Sequence, residues 1–170
     1  MSSIAYIGFG SNLGQRENTF SDAVAAINSR PGIRVNRASR LYETDPIGLV
    51  DGGGSFLNAV IEVDSDLSPE ELIGCMRSIE RDLGKSTSHS SDLSRAIDLD
   101  LLLFGTTVVR GGNLEIPHPR MHNRGFVLVP LCEIAAELVH PVLCCTVREL
   151  LDRLGASETS GVRLWTGPAQ

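Results

Sequence analysis

The chain has 170 residues, 42% of them hydrophobic and 21% charged, with a formal net charge of −6. That is the length of one domain, with enough apolar residue to bury a core without disulfides or a structural metal, which excludes a disordered chain. No apolar run can span a bilayer, no signal peptide is visible, and the acidic balance argues against nucleic-acid binding through a broad basic face. The four cysteines, Cys75, Cys132, Cys144 and Cys145, lack C-x-x-C spacing and are expected to be reduced thiols of a cytoplasmic protein.

Taken in chain order, Ile4-Ala5-Tyr6-Ile7 predicts a strand that leads into Gly8-Phe9-Gly10. Phe20, Ala23, Val24 and Ile27 recur at helical spacing and predict a helix over 15–29, which Pro31-Gly32 ends. Residues 33–42 are strand-like, and 44–55, closing on three glycines, form a loop. Over 56–63, Phe56, Asn58, Val60 and Glu62 share one strand face while Leu57, Ala59, Ile61 and Val63 share the other. Ser68-Pro69-Glu70-Glu71 is a capping box, and Leu72, Cys75, Met76, Ile79 and Leu83 form the buried stripe of the helix it opens, with Gly84 at its end. A polar loop over 85–94 precedes a strong strand at 97–104, in which Ile97, Leu99, Leu101 and Leu103 are expected to face the core together. A turn near Gly105, a helix over 125–135 and a short helix opened by Thr146-Val147-Arg148-Glu149 complete the reading. This order predicts an α+β fold, with a ferredoxin-like βαββαβ core, an antiparallel sheet carrying helices on one face, and additional C-terminal strands and helices. Residues 1–155 are expected to form a single domain and 156–170 a flexible tail.

Gly8-x-Gly10 with Gly14 after a strand suggests a dinucleotide cradle, but the next element after residue 42 is another strand reached without a crossover helix, which a parallel sheet would need. More informative is Arg95-Ala96-Ile97-Asp98-Leu99-Asp100. Alternation puts Asp98 and Asp100 on one strand face, roughly 6.5–7 Å apart by the rise per residue. Aspartate is disfavoured in strands and like charges repel, a penalty that a divalent cation would remove. Hard oxygen donors without supporting Cys or His suit Mg²⁺, completed by water and substrate phosphate. Arg95 and the serine-rich loop before it fit a nucleoside triphosphate. His118 and His122 have the spacing of a helical zinc pair, but Pro117 and Pro119 oppose a helix there. Arg120 and Arg124 in an acidic protein fit phosphate contacts or simply a solvated surface.

These stretches together resemble the 6-hydroxymethyl-7,8-dihydropterin pyrophosphokinase family of folate biosynthesis. The resemblance runs from Tyr6-Ile7-Gly8-Phe9-Gly10-Ser11-Asn12-Leu13-Gly14 through Tyr42-Glu43-Thr44-Asp45-Pro46-Ile47-Gly48, Phe56-Leu57-Asn58-Ala59 and the aspartate motif to Pro117-His118-Pro119-Arg120-Met121-His122. It implies a ferredoxin-like fold and transfer of pyrophosphate from ATP, as co-substrate, to the pterin hydroxymethyl group. It further implies two Mg²⁺ ions on Asp98 and Asp100, and catalytic roles for Arg95, Asp98 and Lys85. Glu80, Arg95, Leu101, His118 and Arg124 are implied as ATP contacts. Thr44, Ile47, Phe56, Asn58 and Phe126 are implied for the pterin, with the two phenylalanines sandwiching its ring. A cytoplasmic monomer with no nucleic-acid or membrane partner is expected. The chain departs from the family before the aspartates: Asp92-Leu93-Ser94-Arg95 stands where Trp-Gly-Pro-Arg is usual, and Thr87 and Ser91 replace basic residues. Asp92 is expected to face solvent, and a weakly active or binding-only relative is the alternative reading.

Overall fold

The computed structural model describes residues 1–45, 54–84 and 96–167. Strand β1 (Ser3–Ser11) is followed by helix α1 (Arg16–Asn28), strands β2 (Ile33–Ala38), β3 (Tyr42–Thr44) and β4 (Phe56–Ser65), helix α2 (Pro69–Gly84) and strand β5 (Asp98–Phe104). Helices α3 (Gly125–Ala135), α4 (Val147–Arg153) and α5 (Ala156–Thr159) follow, then strand β6 (Val162–Leu164). Every strand pair is antiparallel, in the order β5-β1-β4-β3-β6, with β2 also pairing with β4. This is the predicted α+β, ferredoxin-like arrangement, with the long central pair β1 and β4 at its middle.

The capping signals act as read. The Ser68 amide donates to Glu71 Oε2 at 2.8 Å and the Glu71 amide to Ser68 Oγ at 3.3 Å. Thr146 and Glu149 form the same reciprocal pair at the start of α4. Burial on α2 falls on Leu72, Met76 and Ile79, within the predicted stripe.

Three features differ from the sequence reading. The strand expected over 33–42 is split into β2 and β3. At the break the Ser39 amide donates to the Val60 carbonyl, and Ser39 Oγ accepts the Val60 amide, so a side chain replaces one rung of the ladder. A register shift opposite Tyr6 and Ile7 then interrupts β5, so Leu103 does not join Leu99 and Leu101. Leu102 and Leu103 instead pack with Tyr6, Val60, Leu128 and Leu131 in a second core, while Leu99 and Leu101 stay in the first with Phe9, Ile27 and Ile79. The helices accordingly cover both faces of the sheet, α1 and α2 on one and α3 and α4 on the other.

The segment from 156 is the third difference. In place of the expected flexible tail it forms α5 and β6, and β6 pairs Tyr42, Glu43 and Thr44 with Leu164, Arg163 and Val162. The Trp165 amide donates to the Leu41 carbonyl at 2.9 Å and extends that pairing. The open edge of β3 supplies backbone partners that a three-residue strand does not advertise in its composition.

Between α3 and α4, the buried ring of His140 accepts the Val142 and Leu143 amides on Nδ1 at 3.3 and 3.2 Å. Burial, then the neighbouring His122, pushes its pKa down. The folded pKa therefore lies below the unfolded one, so this contribution to stability is complete above the unfolded value of about 6.5 and is lost as pH falls through the folded pKa. His140→Phe should be less stable than the parent at pH 8, because two amides lose their acceptor, and the gap should narrow toward pH 5. Urea midpoints at the two pH values check this; a gap that does not change with pH would contradict it.

Candidate active site

The acidic pair sits where β5 meets β1. Asp98 lies opposite Gly10 and Asp100 opposite Gly8, and both alternate with buried Leu99 and Leu101. Gly8-Phe9-Gly10 thus belongs to the interior of β1 and not to a strand–helix turn, which removes the dinucleotide reading. These glycines keep the sheet low beside the carboxylates: a Cβ on Gly10 would meet Asn58 Oδ1 at 3.5 Å, and one on Gly8 would meet Leu102 at 3.4 Å. The approach to β5 is held by fully buried Ser11, whose hydroxyl donates to the Ala96 carbonyl at 2.6 Å.

Glu80, on α2, reaches across to the same strand, and its Oε1 accepts the Leu99 amide at 2.7 Å. Burial raises the Glu80 pKa, with the Leu99 amide pulling the other way and the charges of Asp98 and Asp100 adding to the rise. Three acidic side chains are therefore gathered in one place, which folding alone would not select. Two carboxylates on a common face are a donor set that fits a hard divalent cation. Among the described residues no cluster of three or more His, Cys, Asp or Glu is arranged to hold a metal ion by itself.

The basic side comes from the segment after β5. His118 is anchored by its own amide, which donates to the Leu102 carbonyl at 2.9 Å, and its Nδ1 accepts the Arg120 amide at 3.2 Å. Burial lowers its pKa, partly opposed by Asp100, while Arg124 and Arg120 lower it further. With Nδ1 accepting the Arg120 amide, Nε2 is the ring nitrogen left to donate. Arg124 is the N-cap residue of α3, and its guanidinium lies 5.4 Å from the centroid of the Phe126 ring. Burial and Arg120 lower its pKa, and Asp100 and Asp98 raise it. A cavity of about 340 Å³ is lined by Glu80, Asp98, Asp100, Leu101 and His118. Arg77, Asn113, Leu114 and Glu115 also line it and were missed in the sequence. Arg77 stands three residues before Glu80 on α2, a helical neighbour that could have been inferred; Asn113 to Glu115 carry no local signal.

A third group occupies the same sheet face farther along. Asn58 lies opposite Gly10 on β1 and opposite Tyr42 on β3, so Asp98, Gly10, Asn58 and Tyr42 form one row across four strands. Asn58 Nδ2 donates to Thr44 Oγ1 at 2.8 Å, and Thr44 pairs with half-buried Phe56. The Tyr42 hydroxyl donates to Glu133 Oε2 at 2.7 Å and so ties β3 to α3, the helix that carries Phe126. The structure therefore brings together Glu80, Asp98, Asp100, Leu101 and His118 around one cavity, Thr44, Phe56 and Asn58 on one strand pair, and Arg124 with Phe126 at the start of α3. Lys85, Arg95, Ile47 and Asp92 lie outside the described residues.

Known proteins resemble the chain in sequence and in fold. Residues 6–136 match the model of the 7,8-dihydro-6-hydroxymethylpterin-pyrophosphokinase (HPPK) family. The chain is 38% identical over 165 residues to the 2-amino-4-hydroxy-6-hydroxymethyldihydropteridine pyrophosphokinase of Bacillus subtilis, covering 97% of this chain and 92% of that one. It is 40% identical over 153 residues to the protein of the same name from Methylorubrum extorquens, covering 90% and 94%. Among solved structures, wild-type Plasmodium falciparum HPPK-DHPS with pteroate superimposes with a TM-score of 0.72 at 16% identity, over 90% of this chain. That likeness establishes the fold, and this chain spans 44% of the longer Plasmodium protein.

Proposed function

The chain belongs to the 7,8-dihydro-6-hydroxymethylpterin-pyrophosphokinase family, and on that premise we propose that it transfers the β,γ-pyrophosphoryl unit of ATP to the hydroxymethyl oxygen of 6-hydroxymethyl-7,8-dihydropterin, releasing AMP. The observation that carries this reading is the half-buried pair Asp98 and Asp100 beside the His118 cavity, on the same sheet face as Thr44, Phe56 and Asn58. One face thus offers an acidic centre between a polar cavity and a strip suited to a flat heterocycle.

Asp98 and Asp100 would hold two Mg²⁺ ions, which when bound neutralise phosphate charge and lower the cost of ionising the attacking hydroxyl. Asp98 orients that hydroxyl and accepts its proton. His118 donates from Nε2 to a phosphate oxygen, and Arg124 adds a fixed positive charge as negative charge develops on the leaving AMP. Glu80 and Leu101 bound the nucleotide side of the cavity. Arg95 and Lys85 complete the phosphate contacts. Asn58, held by Thr44, presents its Oδ1 to the pterin's donor edge, and the Ile47 backbone reads the rest of that edge. Phe56 and Phe126 cover the two ring faces. The pyrophosphoryl group moves in line: the hydroxymethyl oxygen forms a bond to the β-phosphorus as the bond from that phosphorus to the α,β-bridging oxygen breaks, and that oxygen leaves on AMP.

The protein is proposed to act as a monomer in the cytoplasm, a reducing compartment that suits free Cys75, Cys132, Cys144 and Cys145. Among the described residues no helix is long and apolar enough to cross a membrane. Nucleotide chromatography after incubation with ATP, Mg²⁺ and the pterin tests the reaction. AMP is expected only when the pterin and Mg²⁺ are both present. ADP in its place would mean an ordinary kinase, and no turnover would favour the binding-only reading that the arginine-poor segment 85–94 suggests.

A further inference from the structure

The site's machinery does not use Arg16, yet this side chain is only 18% exposed and holds four segments together. It leaves the first turn of α1 and donates from Nη1 to the Ser55 carbonyl at 2.6 Å and to Ser55 Oγ at 2.8 Å. Nη1 and Nη2 also reach Glu43 Oε1 at 3.3 and 3.4 Å, and Ser55 Oγ itself donates to the same carboxylate oxygen. The ring of Trp165 covers the guanidinium, with Cζ 5.0 Å from its centroid, and the indole N–H donates to Glu17 on the same helix turn. Arg163, two residues earlier, pairs with Asp45 through two bonds of 3.0 and 2.8 Å.

The positions of these partners are informative. Glu43 precedes Thr44 on β3, and Ser55 precedes Phe56 at the start of β4, while Thr44 and Phe56 are a cross-strand pair. Side chains alternate along a strand, so Glu43 faces away from the side that carries Thr44 and Asn58. Arg16 therefore grips the rear of that strand pair. The acidic and phosphate side of the site rests on other supports: Glu80 holds the β5 backbone, Ser11 holds the approach to it at Ala96, and the Leu102 carbonyl anchors His118.

We propose that Arg16, capped by Trp165, is a positioning residue for the pterin half of the site, setting the separation and tilt of Thr44, Phe56 and Asn58. This rests on the pyrophosphokinase reading for its substrate. A planar fork under an aromatic ring can satisfy Glu43 and Ser55 at once, whereas a lysine ammonium has no second arm. The segment from 156 thereby gains a role, since it delivers the ring that keeps the guanidinium in place.

Steady-state kinetics of the full chain test this, with each substrate varied against saturating levels of the other. Arg16→Ala should raise the KM for the pterin about tenfold and leave the KM for ATP within about twofold. Trp165→Ala should shift the pterin KM in the same direction, Trp165→Phe should restore it, and the double variant Arg16→Ala/Trp165→Ala should be no worse than Arg16→Ala alone. Amide hydrogen exchange over 42–44 and 56–58 supplies a readout that needs no turnover and should quicken by about tenfold or more in Arg16→Ala. If that variant does not fold, Arg16→Lys and Trp165→Ala carry the test. Equal rises in both KM values, or no rise in either, would overturn the proposal. Should the parent chain release no AMP, the function fails first, and unchanged exchange in Arg16→Ala would then defeat the positioning role separately.

Discussion

Asp98→Asn and Asp100→Asn should each reduce pterin-dependent AMP formation by about a thousandfold, the scale seen when a group that stabilises transition-state charge is removed. The fold should survive, because both side chains are only half-buried and their strand is held by Leu99, Leu101 and the pairing with β1. Stability should change little, because the repulsion that Asp98 and Asp100 add at Glu80 is countered by their attraction to Arg124. Paired melting and activity measurements check both halves. An asparagine variant that keeps full turnover would remove these residues from the chemistry. Lost turnover with a collapsed melt would instead make the pair structural.

The largest effect on stability is expected from Gly125→Ala. A Cβ at this position would overlap the Glu158 carbonyl oxygen in α5 and lie 2.9 Å from its carbonyl carbon, both backbone atoms that no rotamer can move. The first turn of α3 and α5 must separate to admit a methyl group, at about 2–3 kcal/mol on the usual scale of overpacking. Because Arg124 and Phe126 flank the glycine, the substitution should also weaken activity. A chain shortened to end at Gly155 separates the causes: in that background Gly125→Ala should cost nothing or stabilise the helix slightly, since the obstructing carbonyl is gone. A full-size penalty in the shortened chain would contradict this contact as its source.

Most of the sheet was legible because its signals are local. Alternation along 56–63, the capping boxes at Ser68 and Thr146, and the apolar stripe of α2 each involve residues within a turn or two of one another. What the sequence could not display depends on partners distant in the chain. The displacement of Leu103 into the second core follows from a register shift against β1, and the split between β2 and β3 follows from a bond made by Ser39 to Val60. Likewise β6 exists because β3 offers an edge, and Val162–Leu164 alone is too short to declare itself. The candidate site divides in the same way. Asp98 and Asp100 stand out as charges in an apolar strand, and both line the cavity beside His118. The Leu99 bond to Glu80 and the cavity wall from Asn113 to Glu115 arise only when α2, β5 and the following segment meet. Arg16 carried no sequence signal because its partners are Ser55, Glu43 and Trp165, all far from it along the chain.

Pyrophosphoryl transfer requires that two phosphorus atoms move together onto the pterin. Mass spectrometry of the pterin product from a single-turnover reaction reads this directly. The expected product is a pterin carrying a diphosphate, formed in equal amount with AMP and formed about a thousandfold more slowly when Asp98→Asn replaces the parent chain. A pterin monophosphate accompanied by ADP, or a diphosphate that forms equally well without Asp98, would contradict it.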